Sequence, residues 1–449
     1  MHNIDSDSED ELPPGWEEKS TDDGDVYFVN TCTNKTQWTH PRTGSKKVIP
    51  KELPFGWSKT IDEEGKTLYI QKETGLKTYV DPRLAFAKEE KKHVHDFRQR
   101  FDGSSTAFQV LHGVDLSGKY ALVTGSNVGI GLETAKSLAR HGCNVLFANR
   151  NMESTQEAME DIIEETNVSE DNLKSIHLDL ASLQSVKKCA AAVKTFFSDH
   201  LDIVILNAGV FGLEYSETED NIETTFQVNH LGHMYLVILL EPLLKKGSRV
   251  VFVSSESHRF ASLTNMFAQQ NITPTKDSYS SVMAYNNSKL FNVITAKMLA
   301  EAWRSKGILV NSLHPGNMVY SNLSKSWWLF RLAFFFVRPF TKSLQQAAAT
   351  SIYAATAAEL EGVTGLYFNN CFYCEESALA RDKDIAHETS RWSRHLQTQT
   401  PFLLYLKMLP PLCSLLVVIT VGLPLRLTLR VPVTFIPLRN MYTESPTLL

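Results

Sequence analysis

From Gly118 onward the chain repeats one pattern, an apolar run of strand length followed by a helical stretch. The runs are Tyr120–Gly125, Asn144–Asn149, Leu201–Gly209, Arg249–Ser255 and Ile308–Gly316, with helical spacing over stretches such as Leu132–His141 and Ser154–Thr166. Parallel strands need crossover connections and are covered on both faces, so they read as near-continuous apolar runs. The alternation therefore predicts an α/β unit, a doubly wound parallel sheet of the Rossmann type. With 449 residues, 43% of them apolar, the chain has room for that unit and others, two to four domains in all.

The first ninety residues carry an internal repeat. Leu12-Pro13-Pro14-Gly15-Trp16 recurs 41 residues later as Leu53-Pro54-Phe55-Gly56-Trp57, and Pro41-Arg42 recurs as Pro82-Arg83. Within each copy a β-type run, Val26–Val29 or Thr67–Ile70, follows a turn signal, Asp23-Gly24 or Glu64-Gly65. Each copy reads as a small three-stranded antiparallel β module, over 11–44 and 52–85. A unit of about 35 residues is too small for an ordinary core, so a tryptophan on a proline is expected to supply much of the burial, Trp16 on Pro41 and Trp57 on Pro82.

These modules resemble WW domains, which bind proline-rich peptides. The resemblance implies an aromatic clamp for a polyproline II ligand, a helix that is extended before it binds and so loses little entropy. In the first copy the clamp is Tyr27 and Trp38. Thr31 stands where modules that prefer PPxY ligands often carry histidine. The same offset puts Leu68 and Tyr79 at the clamp of the second copy, which is therefore expected to fold and support the first while binding proline ligands weakly. Residues 86–112 read as a linker or a packed arm leading into the next unit.

Thr124-Gly125-Ser126-Asn127-Val128-Gly129-Ile130-Gly131 closes the first strand of the α/β unit and opens a helix, the context a phosphate-binding loop requires. Gly125 permits the tight turn, Gly129 lets backbone approach a pyrophosphate, Gly131 allows close helix packing, and the helix N-terminus faces the anion. The spacing resembles the short-chain dehydrogenase/reductase family, and the likeness extends from about Leu116 to Asn370, within the unit assigned to 113–385. It implies further cofactor contacts at Asp179, at Asn207-Ala208-Gly209, and at Pro315-Gly316 beside the nicotinamide. A carboxylate at the end of the second strand would hold the 2′-hydroxyl of NAD, whereas a 2′-phosphate needs a cation. Here the strand ends in neutral Asn149 followed by Arg150, so NADP is the expected cofactor.

Carbonyl reduction needs a proton donor and a group that keeps the developing alkoxide in place. Tyr285 and Lys289 lie one helical turn apart, and a nearby ammonium can lower a phenol by ~1–3 units, toward acid/base range. Tyr285 is thus the acid/base and Lys289 its tuner and ribose ligand. The family resemblance adds Ser255, polarising and holding the substrate carbonyl, and Asn229, holding a water in a proton relay. Ser254, adjacent to Ser255, is the alternative for the hydroxyl, and His230, His233 and His258 read as structural. An insertion separates Ser255 from Tyr285, and the aromatic stretch Ser326–Phe340 falls where the family covers its substrate. A lid that apolar implies a small lipophilic substrate, steroid- or retinoid-like, or a contact with a membrane surface, and a buried interface helix is an equal reading.

A net charge of −5 with only short basic clusters argues against nucleic acid as a partner. Six scattered cysteines do not form a disulfide framework, and Cys371 and Cys374 lack further ligands for a zinc site, so no metal is expected. The N-terminus, residues 1–10, reads as acidic and disordered and has no apolar core for a secretory signal. The tail, residues 386–449, is apolar but broken by Pro410, Pro411, Pro424, Pro432 and Pro437, so a continuous membrane span is not expected, although a membrane contact stays open. A chain with WW modules ahead of such a reductase resembles a family of signalling and cell-death adaptors. That implies PPxY-bearing partners and residence in the cytoplasm with access to nucleus and mitochondrion. Two functions compete: a reductase carried on an adaptor, or a scaffold that binds cofactor without significant turnover.

Overall fold

The computed structural model describes residues 12–21, 24–89, 99–166, 168–197, 200–262, 274–316 and 342–382. Seven parallel strands form the main sheet: β1 (Tyr120–Thr124), β2 (Asn144–Asn149), β3 (Leu173–His177), β4 (Leu201–Leu206), β5 (Leu244–Val253), β6 (Leu309–His314) and β7 (Tyr367–Asn369). Their spatial order is β3-β2-β1-β4-β5-β6-β7, and β8 (Phe372–Cys374) adds antiparallel to β7 through a two-residue turn at Asn370-Cys371. Both turn residues have positive φ, +52° and +57°, as a type I′ hairpin demands.

Side chains alternate across the sheet with period two. Val123, Phe147, Ile205 and Val251 enter one apolar layer, while Leu122, Leu146, Val204 and Phe252 enter the other. The first layer is covered by α1 (Gly129–Arg140), α2 (Met152–Thr166) and α6 (Leu344–Thr356). The second is covered by α3 (Leu183–Phe196), α4 (Gly232–Leu240) and α5 (Ser281–Ala302). Each fully buried large side chain, Phe147 or Phe252 for example, contributes about 1.5–3 kcal/mol. The chain reverses its direction of winding between β1 and β4, so the carboxyl ends of those two strands open a crevice where such sheets hold ligands.

Within the segment assigned to a linker, residues 99–112 are part of the α/β unit. Thr106 caps a short helix, Ala107–Val110, with a capping box, and Ala107 and Leu111 are fully buried in the first layer. The packed arm is therefore the better of the two sequence readings.

The two N-terminal copies form the expected three-stranded sheets, Trp16–Ser20, Val26–Asn30 and Thr36–Gln37, then Trp57–Ile61, Thr67–Gln71 and Lys77–Thr78. Burial within the first copy, however, is borrowed from outside it. Trp16 packs with Val26, Phe28, Ile49, Leu84 and Ala87, and the last three come from the connection between the copies, from the end of the second copy and from just beyond it. A two-stranded sheet, Lys47–Val48 with Lys88–Glu89, ties the same segments together. The Asp81–Arg83 ion pair, 2.7 Å and buried, receives Ser20 Oγ at 2.9 Å and donates to Lys51 O at 3.2 Å. The second copy supports the first by this means. The N-terminal residues 1–10, the stretch Ser326–Phe340 and the tail 386–449 lie outside the described residues.

Candidate active site and peptide clamp

The loop after β1 has the shape its glycines foretell. Gly125 has φ +65°, and a Cβ there would lie 2.8 Å from Ala208 Cα; one at Gly131 would lie 2.1 Å from Gly125 O. These contacts seat α1 on the turn after β1, and that turn on the residues following β4, with the N-terminus of α1 at the crevice. Asn149 braces the loop from β2, accepting Ser126 N–H at 2.7 Å and donating to Ser126 Oγ at 3.2 Å. Asn127 Nδ2 donates to Ser154 Oγ at 2.8 Å, tying the loop to α2. Arg150 is exposed and has no acidic partner among the described residues. Asp179 accepts Ala181 N–H at 2.9 Å, and Asn207 Nδ2 donates to Thr124 O and Gly125 O at 3.0 and 3.1 Å. Val128 and Ile130 complete the loop, and Pro315-Gly316 follows β6, Gly316 with φ +113°.

The four candidate catalytic residues converge at the carboxyl ends of β4 and β5. A Cβ on Gly209 would lie 3.3 Å from Asn229 Oδ1 and 3.5 Å from Lys289 Nζ, so this glycine leaves room between them. Lys289 Nζ sits 5.5 Å from the centre of the Tyr285 ring and donates to Val253 O at 3.0 Å. The adjacent serines separate cleanly. Ser254 is buried and its hydroxyl donates to Lys289 O at 2.7 Å, whereas the Ser255 hydroxyl accepts Ser257 N–H at 3.2 Å and is the one that acts to lower the Tyr285 phenol. Phe211 packs edge-on against Tyr285, with ring centres 4.9 Å apart.

Burial dominates the electrostatics of the pair. Desolvation pushes the Tyr285 phenol up to about 12, against a lowering pull from Ser255, and pushes Lys289 down to about 8. The sequence led us to expect the ammonium to lower the phenol. Among the protein's own groups the loss of water is the larger influence on the phenol, and Ser255 is the group that opposes it.

Asn229 is held from several sides. It lies in a π-turn, Gln227–Leu231, a distortion that frees backbone groups and often marks functional sites. Its side-chain amide accepts Val210 N–H at 2.7 Å and donates to Val210 O at 2.9 Å and Ser288 Oγ at 3.1 Å. The amide is a brace between the loop after β4 and α5.

The three histidines are each held by hydrogen bonds within the fold. Asn207 and Ala208 N–H groups donate to Thr124 Oγ1, which lies 2.9 Å from His233 Nε2, while His233 Nδ1 lies 3.2 Å from Asn229 O. A carbonyl only accepts, so Nδ1 carries the proton and Nε2 takes the threonine's. Burial pushes His233 down to about 3 and His230 down to about 4, keeping both neutral. His258 accepts Ser377 N–H at Nε2, so its Nδ1 donates to Ser255 O and steadies that turn.

The candidate peptide clamp is built differently. Tyr27 and Trp38 stand edge to face with ring centres 5.9 Å apart, and Trp38 is 56% exposed on a sheet with no core on that side. Thr31 does not offer a free group where histidine is common, because its hydroxyl donates to Gly15 O at 3.0 Å. In the second copy Leu68 and Tyr79 occupy the clamp positions, and the Tyr79 hydroxyl is tied to Asp62 Oδ2 at 2.9 Å.

Comparison with known proteins matches this architecture. The WW domain family profile matches residues 12–41, and the short chain dehydrogenase profile residues 119–266. A WW domain-containing oxidoreductase of Drosophila melanogaster is 54% identical over 395 residues, 87% of this chain and 96% of that protein. This chain belongs to the WW domain-containing oxidoreductases. The human WW domain-containing oxidoreductase is 50% identical over 387 residues, covering 85% of this chain and 93% of its own length. Retinol dehydrogenase 12 of Mus musculus is 36% identical over 277 residues, 61% of this chain and 84% of that protein. A WW domain-containing oxidoreductase thus joins a peptide-binding module type to a short-chain oxidoreductase domain.

Sequence reasoning missed the residues that hold the cluster. Ser288 and Asn292 share one face of α5 with Tyr285 and Lys289, at spacings of three, four and seven. Asn292 Nδ2 donates to Asn229 O at 3.1 Å and Ser288 Oγ to Tyr285 O at 2.7 Å. A polar stripe at helical spacing in an otherwise buried helix was the available signal.

Proposed function

We propose that this chain is an NADP-dependent oxidoreductase that interconverts a lipophilic carbonyl, steroid- or retinoid-like, and its alcohol. We further propose that the first WW module recruits PPxY-type partners to it in signalling and apoptosis. The observation that best supports the chemistry is the convergence of Tyr285, Lys289, Ser255 and Asn229 around Gly209, beside the glycine loop. The retinoid side of the reading draws support from the likeness to retinol dehydrogenase 12.

The loop fits a dinucleotide, because a Cβ at Gly125 or Gly131 would fill the close approach that shapes the cradle. Thr124 to Gly131 would hold the pyrophosphate, Asp179 the adenine side, and Arg150 a 2′-phosphate. When bound, the reduced nicotinamide supplies the hydride. The protein's own groups handle the oxygen: Ser255 holds it in place, and the Tyr285 hydroxyl donates its proton as negative charge develops there. Lys289 lends positive charge to that phenol, and Asn229 fixes the loop and helix that aim both.

One observation favours a scaffold that binds cofactor with little turnover. The phenol at about 12 is not activated by the protein alone. Titration of NADPH and NADH, followed by an NADPH oxidation screen against steroid and retinoid carbonyls, tests the proposal. Arg150→Glu is expected to shift preference toward NADH, and an unchanged preference removes Arg150 from the cofactor site.

A further inference from the structure

The second module departs from the repeat in ways that its lost clamp does not explain. The first copy reads Leu12-Pro13-Pro14-Gly15-Trp16, and the second keeps every residue of that motif except Pro14, which becomes Phe55. Phe55 is spent on the reductase. Its ring packs on His141, the residue that ends α1, with centres 5.5 Å apart. His141 in turn faces Phe108 at 6.4 Å, and the Arg140 guanidinium lies 4.7 Å over the Phe108 ring. The result is an aromatic column that begins in the second module and ends on the reductase surface.

A second contact fixes the direction of docking. Phe86, at the end of the turn that closes the second module, packs on His112 with centres 5.6 Å apart. Its ring also covers Gly113, where an added Cβ would lie 2.2 Å from the nearest ring atom. Gly113 has φ +75°, so both its conformation and its missing side chain suit this seat. Two phenylalanines, one at each end of the module, thus meet two histidines of the reductase.

We propose that the second WW-type module is a docking module whose partner is this chain's own reductase, at the C-terminal end of α1 and the adjoining arm. Its clamp positions, Leu68 and Tyr79, are released from ligand binding, and its three-stranded fold serves to hold the tandem in place. Because the second module interlocks with the first through Ser20–Asp81, Arg83–Lys51 and the Lys47–Val48 sheet, docking it also fixes the first. The Tyr27 and Trp38 rings stay open to a peptide, which the reductase then carries in a set position.

The test is backbone nitrogen-15 relaxation on the full chain, with amides of the first module as reporters. In the wild type these amides are expected to relax with the slow tumbling of the reductase. Phe55→Pro, which restores the residue of the first copy, and His141→Ala, which alters only the reductase side, are each expected to release them to the fast tumbling of a small free unit. Proline-peptide affinity of the first module should stay unchanged in both, which separates release from unfolding. His141→Ala leaves both modules intact, so it reads docking even where Phe55→Pro perturbs its own module. Independent tumbling in the wild type, or wild-type rates in both variants, would overturn the proposal.

Discussion

The reductase cluster and the first-module clamp are two opposite ways of making a site. Tyr285, Lys289, Ser255 and Asn229 are gathered at the end of a buried sheet, where the neighbouring Ser254, Ser288 and Asn292 hold them by hydrogen bonds. Tyr27 and Trp38 stand on a thin sheet with Trp38 mostly in water, and little beyond their own edge contact positions them. Burial gives the first site shifted proton affinities at a cost in stability. Exposure gives the second an apolar face that gains when a ligand covers it.

The difference can be broken most sharply at Lys289. Its ammonium is buried and held down to about 8, below its value of about 10.5 in an unfolded chain. The unfolded chain therefore binds more protons between those values, and the group's cost to folding is fully present below about pH 8 and relieved as pH rises toward 10.5. Lys289→Met is expected to lower turnover on the order of 10²–10⁴-fold. The same variant should stabilise the fold at pH 7 by about 1–3 kcal/mol, read by denaturant melts. A less stable variant would mean that the bond to Val253 outweighs the burial.

Trp38→Ala sharpens the other side. Losing an exposed anchor should weaken a proline-rich peptide by about 2 kcal/mol, roughly 30-fold, in calorimetric titration. The melting temperature and carbonyl reduction should not move. A large drop in melting temperature would make Trp38 a core residue rather than half of a clamp.

The pH response is a milder contrast. In the proposed mechanism reduction uses the Tyr285 proton, which the raised phenol keeps, and the Lys289 charge, which is lost above about 8. The kcat/KM for reduction should therefore be flat through neutrality and fall by up to ~tenfold per unit above about pH 8. Peptide binding to the clamp should stay flat over the same range.

Much of this was legible in the sequence because it rests on local period and spacing. The apolar runs became β1, β2, β4, β5 and β6, and the loop Thr124 to Gly131 and the Tyr285/Lys289 turn lie where the pattern put them. What was not legible depends on contacts far apart in the chain or on water. Ser20 meets Asp81 across 61 residues, and Thr124 meets His233 across 109, so neither link leaves a local mark. Ser254 and Ser255 are equivalent in sequence and separate only once α5 packs over one of them. The raised Tyr285 phenol belongs to the second kind: spacing reports a neighbouring charge but not how much solvent is lost around it.

The most direct measurement is NADPH oxidation by the full chain with a steroid or retinoid carbonyl, compared between wild type and Tyr285→Phe, with cofactor affinity read in parallel. The expected result is turnover in the wild type, its loss in the variant, and unchanged affinity for NADPH. Turnover in Tyr285→Phe equal to that of the wild type would contradict the assignment of Tyr285 as the proton donor.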